Sequence, residues 1–180
     1  MNRNQKIFSF VTTLALVPAL LFILTFSNTS CGIYRFKDVS IPDTIKTVKI
    51  NPFDNTARYR NPQLSPKLTD KVRQKITGQT KLTQTNSDNV NADWEISGDI
   101  TEYSVTTSGI SNQKEATNRL TVSVHITLFK RKEDKTEEFD ISRNYDFAAN
   151  QSLQQAEAKL TEEMIRTLTD EIFNRIFSNW

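Results

Sequence analysis

The sequence predicts a two-layer α+β sandwich, in which a mostly antiparallel sheet of four to five strands carries two helices on one face. Three patterns predict it. Residues 119–129, RLTVSVHITLF, alternate strictly, with Leu120, Val122, Val124, Ile126 and Leu128 on one side and Thr121, Ser123, His125 and Thr127 on the other. The run EEFDISRNYDF follows across the turn KRKEDKTE, and Phe139, Ile141, Tyr145 and Phe147 again share one parity. The chain then closes with an amphipathic helix, whose apolar stripe must bury itself on that dry face.

Taken in order, the elements fit this plan. IKTVKI, 45–50, is rich in β-branched residues and reads as a strand, and NPFDNTARYRNP, 51–62, reads as a loop because it carries two Asn-Pro pairs. Ser65-Pro66 supplies an N-cap followed by proline, after which Leu68, Val72 and Ile76 recur every four residues up to Gly78, which is placed to end the helix. One such stripe cannot hold a short helix alone, so it must dock. KLTQT, 81–85, is a short strand, and residues 87–93 form a loop. In WEISGDI the apolar residues Trp94, Ile96 and Ile100 share one parity, whereas Tyr103 and Val105 take the other, which predicts a bulge or break between Gly98 and Glu102. Ser152 and Gln155 form a capping box ahead of Leu153, Ala156, Leu160, Met164, Leu168, Ile172, Ile176 and Trp180, a stripe that Ile165 and Phe173 widen. Its spacing of four drifts around the helix, as it must to follow a twisted sheet.

The start of the chain has a different character. Arg3 and Lys6 precede an uncharged apolar run from Ile7 to Phe26, and Ser27 to Ser30 lead from it to Cys31. This order is that of an export signal over 1–30; the other reading is an uncleaved membrane anchor, against which Pro18 in mid-run and the small residues before Cys31 both count. Cys31 is the one cysteine, so it forms no internal disulfide and is a free thiol, half of an intermolecular bridge, or a modified residue. Directly after a signal segment, modification is favoured. In a bacterial lipoprotein signal a small residue precedes a cysteine that is diacylated on sulfur; Thr29 and Ser30 fit, while Asn28 stands where leucine is usual. Burial of acyl chains is worth about 0.8 kcal/mol per CH₂, and two chains suffice for a stable tether. The expected organisation is therefore a signal over 1–30, a lipidated start and linker over 31–44, and one α+β domain over 45–180.

Charge and composition exclude several classes of function. The chain has 23 basic and 21 acidic residues, and Arg3 and Lys6 are the only charges among the first thirty, so the part from Cys31 onward is formally neutral. A nucleic-acid-binding domain carries a basic footprint that this one lacks. One cysteine and one histidine exclude the usual zinc sets, and Asp134, Glu137 and Glu138 lack calcium-loop spacing. Gly32, Gly78, Gly98 and Gly109 stand apart from one another, so no phosphate-binding glycine loop exists and no cofactor is expected. His125 lies near Ser123, but residues two apart on a strand project side by side, and no acid close in sequence orients the ring. A solvated His125 is the plainer reading, and no enzyme is expected. The basic turn Lys130, Arg131, Lys132, with Arg58 and Arg60, reads as solvated charge or as contacts for lipid-headgroup phosphates. The polar sheet face suits solvent, or the polar lumen of an outer-membrane barrel.

The segments CGIYRF, VKINPFDNTA, ADWEISGDITEY, NRLTVSVHI and DEIFNRIFSNW, in that order and spread over nearly all of 31–180, resemble the LptE family of lipopolysaccharide-assembly lipoproteins. The resemblance implies a non-enzymatic lipoprotein of the outer membrane, anchored on its periplasmic side through acyl chains on Cys31. It also implies a partner, the β-barrel protein LptD, whose lumen such a protein plugs and whose assembly it assists, and a role in delivering lipopolysaccharide to the cell surface. The family brings no catalytic residue. Its members bind lipopolysaccharide through basic residues that no motif maps onto this sequence; the basic turn Lys130, Arg131 and Lys132 is the candidate that its own charge offers. An auxiliary lipoprotein of another envelope transporter, and a tethered periplasmic hydrolase using His125, are the competing readings.

Overall fold

A computed structural model of the chain describes residues 41–85, 91–108 and 117–177, which all belong to one compact unit. The expected signal segment, Cys31 and Trp180 lie outside these residues. The elements are β1 (Thr47–Ile50), β2 (Asp54–Asn55), α1 (Leu64–Gln79), β3 (Thr83–Gln84), β4 (Trp94–Ser108), β5 (Thr117–Lys130), a 3₁₀ turn (Arg131–Glu133), β6 (Lys135–Ala148) and α2 (Leu153–Phe177).

The fold is α+β, as expected, but the sheet has six strands and is mixed. Its order is β3-β1-β4-β5-β6, with β2 pairing on β4. β4, β5 and β6 are antiparallel. The pairs β1/β3, β1/β4 and β2/β4 are parallel. The cause is α1: a strand that leaves through a crossover helix returns parallel to its start. β2 and β3 are two residues each, too short for a sequence pattern, and backbone bonds fix them. Thr56 N–H and Ala57 N–H donate to the Ile100 carbonyl, and Thr83 N–H donates to Lys46.

Both helices pack on the dry face. Leu64, Leu68, Val72 and Ile76 of α1 and Met164, Leu168, Ile172 and Phe177 of α2 join Val48, Ile96, Val124 and Ile126 of the sheet in one apolar core. In β5 every expected inward residue, Leu120 through Leu128, is buried. The register of β4 on β5 slips between Ile100 and Glu102, so Thr101 is an extra residue and Ile100 and Tyr103 both face inward. In β6 Ile141, Tyr145 and Phe147 are buried and Phe139 is half-buried, while Arg143 takes an inward parity and reaches out to pair with Glu171. The capping box of α2 is made: Ser152 N–H donates to Gln155 Oε1 at 3.0 Å, and Gln155 N–H donates to Ser152 Oγ at 3.3 Å. Leu153, Leu160 and Ile176 are only partly buried, and Phe177, absent from the expected stripe, takes a core position against Trp94 with ring centroids 5.9 Å apart.

The ends of α1 differ from expectation. It starts at Leu64, with Gln63 at the cap position, and Ser65 is already helical; the Ser65 hydroxyl donates instead to the Phe53 carbonyl. Thr69 Oγ1 accepts from Phe53 N–H at 3.0 Å. These two bonds fix the loop after β1 so that the Phe53 ring lies over Gly98, where an added Cβ would meet the ring at 2.8 Å. Gly78 is within the last turn, and Thr80 closes the helix by donating its N–H to the Ile76 carbonyl.

Candidate functional site

Two surfaces bear the expected functional residues. The first is the turn between β5 and β6, whose chain reversal rests on Asp134 in the left-handed region at φ 48°. Here the three candidate cations come together, each with a partner inside the protein. Lys130 Nζ bonds Glu137 at 2.9 Å and lies over the Trp94 ring. Arg131 Nε donates to the Ala92 carbonyl at 3.0 Å, and its guanidinium stacks over Phe129. Lys132 Nζ pairs with Asp93 at 3.0 Å. Asp93 is the hub, because its Oδ2 also accepts the N–H groups of Lys46 and Thr47 and the Thr47 hydroxyl at 2.8 to 3.0 Å. Burial pushes this carboxyl up, but the bonds from Lys46, Lys132 and Thr47 together outweigh it and hold the group well below the usual carboxylate range. Hydrogen bonds from Lys130 and Lys135 likewise lower Glu137. Arg58 and Arg60 are in the loop before α1, away from this turn in sequence.

The second surface is the sheet face that no helix covers. Its side chains bond across strands. Arg119 forms a two-pronged bond to Asp146 at 2.7 and 3.0 Å, which lowers the Asp146 carboxyl. The Thr121 hydroxyl donates to Asn144 at 2.9 Å, and the Ser123 hydroxyl is shared between Glu102 and Ser142 at 2.9 and 3.1 Å. His125 does have an acid beside it: Asp140 stands opposite on β6, with its Oδ1 2.8 Å from Nδ1. Sequence separation hid this partner; a turn closing at residues 131–134 sets it directly across the hairpin. The pair does not make a nucleophile. Ser123 turns to Glu102 and Ser142, the ring is more than a third exposed and Asp140 is largely in solvent. The described residues hold no group of three His, Cys, Asp or Glu side chains placed to bind a metal. His125→Ala is therefore expected to leave lipopolysaccharide export and growth near normal, and a loss of export in cells carrying that variant would mark the imidazole as functional.

A third feature gave no signal in the sequence. Tyr59, 45% exposed, stacks on the buried Tyr103 at 5.4 Å, and the Tyr103 hydroxyl donates to Glu157 at 2.7 Å. Burial and that bond push the Tyr103 hydroxyl up. Asn61 donates to the same carboxylate at 3.1 Å, so the loop before α1 is fastened to α2.

The sequence model of a lipopolysaccharide-assembly family, LptE, matches residues 45–176, nearly the whole of the folded unit described above. The chain belongs to the LptE family. Its role is thus in lipopolysaccharide assembly, and the LptE family is one of non-enzymatic lipoproteins. Among the described residues, no helix of this LptE chain is long and apolar enough to cross a membrane. No curated protein matches the sequence. Solved structures are similar at low identity, three among them as follows. A minor lipoprotein from Acinetobacter baumannii is 13% identical with a TM-score of 0.49, covering 76% of this chain and 95% of its own. A hypothetical protein from Chlamydia trachomatis is 11% identical with a TM-score of 0.48, covering 75% and 99%. A putative neuraminyllactose-binding hemagglutinin homolog from Helicobacter pylori is 7% identical with a TM-score of 0.48, covering 76% and 90%.

Proposed function

We propose that this LptE chain is exported by a signal over residues 1–30, is tethered by acyl chains on Cys31 to the periplasmic side of the outer membrane, and there binds and plugs LptD. It assists assembly of that barrel and delivery of lipopolysaccharide through it. The observation that carries the reading is the uncovered sheet face. Its hydroxyls, amides and carboxylates are already bonded to one another across three strands, so the face can lie against a polar lumen wall without leaving buried donors unpaired. Affinity capture of the full chain from detergent-solubilised outer membranes tests it. Recovery of LptD is expected, and recovery of an inner-membrane transporter in its place would contradict the reading.

The turn cations are the proposed contact for lipopolysaccharide headgroups. Arg131 and Lys132 keep 38% and 50% of their side chains exposed, so Arg131 can turn its terminal nitrogens outward while Nε stays on the Ala92 carbonyl, and the Lys132 ammonium has a third N–H beyond those on Asp93 and the Thr44 carbonyl. Exchanging Lys130, Arg131 and Lys132 together for glutamine is expected to weaken lipopolysaccharide binding about tenfold in a titration of the purified chain. Unaltered affinity would remove the turn from the binding surface.

A further inference from the structure

The sheet face that no helix covers is acidic, although the chain from Cys31 onward is formally neutral. The outward residues of β4 include Glu95, Asp99 and Glu102, and those of β6 include Glu138, Asp140 and Asp146. Asp54 of β2 stands opposite Asp99 on the same side. Against these seven carboxylates the face sets three cations, Lys49, Arg119 and Arg131. His125, between Asp99 and Asp140, adds at most one more. The compensating charge lies elsewhere: α1, across the core from this face, carries Lys67, Lys71, Arg73 and Lys75 against Asp70 alone.

The three cations are already matched. Arg119 holds Asp146 with two bonds, and Lys49 and Arg131 lie 4.0 and 3.5 Å from Glu95. The excess of negative charge therefore sits on the middle of the face. There Asp99 accepts from the Thr56 N–H and hydroxyl at 3.1 and 2.6 Å, and Glu102 accepts from the hydroxyls of Ser104 and Ser123 at 2.7 and 2.9 Å. Such neutral donors orient a carboxylate but leave its charge in place, with lone pairs to spare for a further donor. Asp54 and Glu138 are exposed, and among the described residues neither has a hydrogen-bond or ion-pair partner.

We propose that this face docks on a basic protein surface, with Asp99, Glu102 and Glu138 set to receive lysine and arginine side chains of the partner. The identity of the partner rests on the plug reading, in which that surface is the stretch of the LptD lumen wall that faces β4, β5 and β6. Charge selects this occupant. An excess of carboxylates repels a phosphate-bearing headgroup, and it equally repels a second copy presenting the same face. A neutral polar wall would desolvate the carboxylates and give them no counter-charge, which is strongly unfavourable. Lysine and arginine supply both the charge and the N–H donors that these oriented carboxylates lack.

Affinity capture from detergent-solubilised outer membranes tests it, in cells that make a tagged full chain beside the untagged parent chain as competitor. D99N/E102Q/E138Q keeps the side-chain shapes and removes three charges, and it should recover about tenfold less LptD than the tagged parent. D70N/E162Q/E163Q removes the same charge from the helices and should recover as much as the parent. Glu138 makes no bond within the described residues, so E138Q alone leaves the fold intact and should lower recovery severalfold even if the triple variant folds poorly. Crosslinks from a photoreactive residue at Ser142 should fall on LptD segments that carry lysine or arginine. Recovery by E138Q and the triple variant equal to that of the parent, or an equal loss in the helix variant, overturns the inference while leaving the plug reading in place. Absence of LptD from the parent's own capture overturns both.

Discussion

Gly98→Val is expected to destabilise the fold by about 2 kcal/mol, read as a lower urea midpoint at unchanged slope. Two effects oppose each other. Valine is a better strand residue than glycine, a gain that spans at most about 1 kcal/mol. Against it stands the Phe53 ring, 3% exposed, three of whose carbons lie within 2.9 Å of the position a Cβ would take. Phe53 cannot step aside cheaply, because its backbone N–H is held by Thr69 and its carbonyl by Ser65. The clash wins by a factor of about three on these magnitudes. Pairing Gly98→Val with Phe53→Ala should cost less than the sum of the two single changes, since the smaller side chain vacates the space. Strict additivity would mean that the ring does not rest on Gly98.

Asp93→Ala is expected to cost about 3 kcal/mol, for a different reason. The carboxylate joins three segments that the chain brings together only on folding: the start of β1 through Lys46 and Thr47, the start of β4 through its own backbone, and the β5–β6 turn through Lys132. Its removal leaves the part-buried Thr47 N–H without its acceptor and takes the paired carboxylate from Lys132, whose ammonium keeps only the Thr44 carbonyl. The pH dependence has a definite sign. The folded carboxyl titrates well below the unfolded value of about 3.9, so its contribution is fully present above about pH 4 and is lost as the pH falls toward the folded value. The stabilities of the parent chain and Asp93→Ala should therefore differ most at neutral pH and converge in acid. A constant gap between the two unfolding curves down to pH 2 would show that the carboxylate charge contributes nothing.

Much of this architecture is legible from periodicity, because the relevant residues recur at fixed spacing within one element. The inward row of β5, the phase change at Thr101 and the Ser152/Gln155 cap are all of this kind. What periodicity cannot supply is a partner from another element. β2 and β3 are too short to alternate and exist because β4 and β1 offer backbone groups at the right height. Ser65 looks like a cap by type, yet the Phe53 carbonyl competes for its hydroxyl and the helix begins at Leu64, two residues before the Pro66 start that a Ser65 cap implies. The turn KRKEDKTE reads as eight residues when judged by charge, but Lys130 and Lys135 pair across it, and this tighter closure is what places Asp140 beside His125 and Glu137 beside Lys130. The turn lysines and arginine are legible as a basic cluster; Asp93, 47 residues from Lys46 and 39 from Lys132 in sequence, is not legible as the acceptor that joins β1 to the turn.

The proposed molecule is a tethered domain whose polar sheet face fits the inside of another protein. A photo-crosslinking residue placed at Ser142, on the exposed face of β6, examines that most directly in living cells. Crosslinks to LptD that map to its lumen-facing positions are the predicted result. Crosslinks to a different envelope protein, with LptD absent from every product, would contradict it.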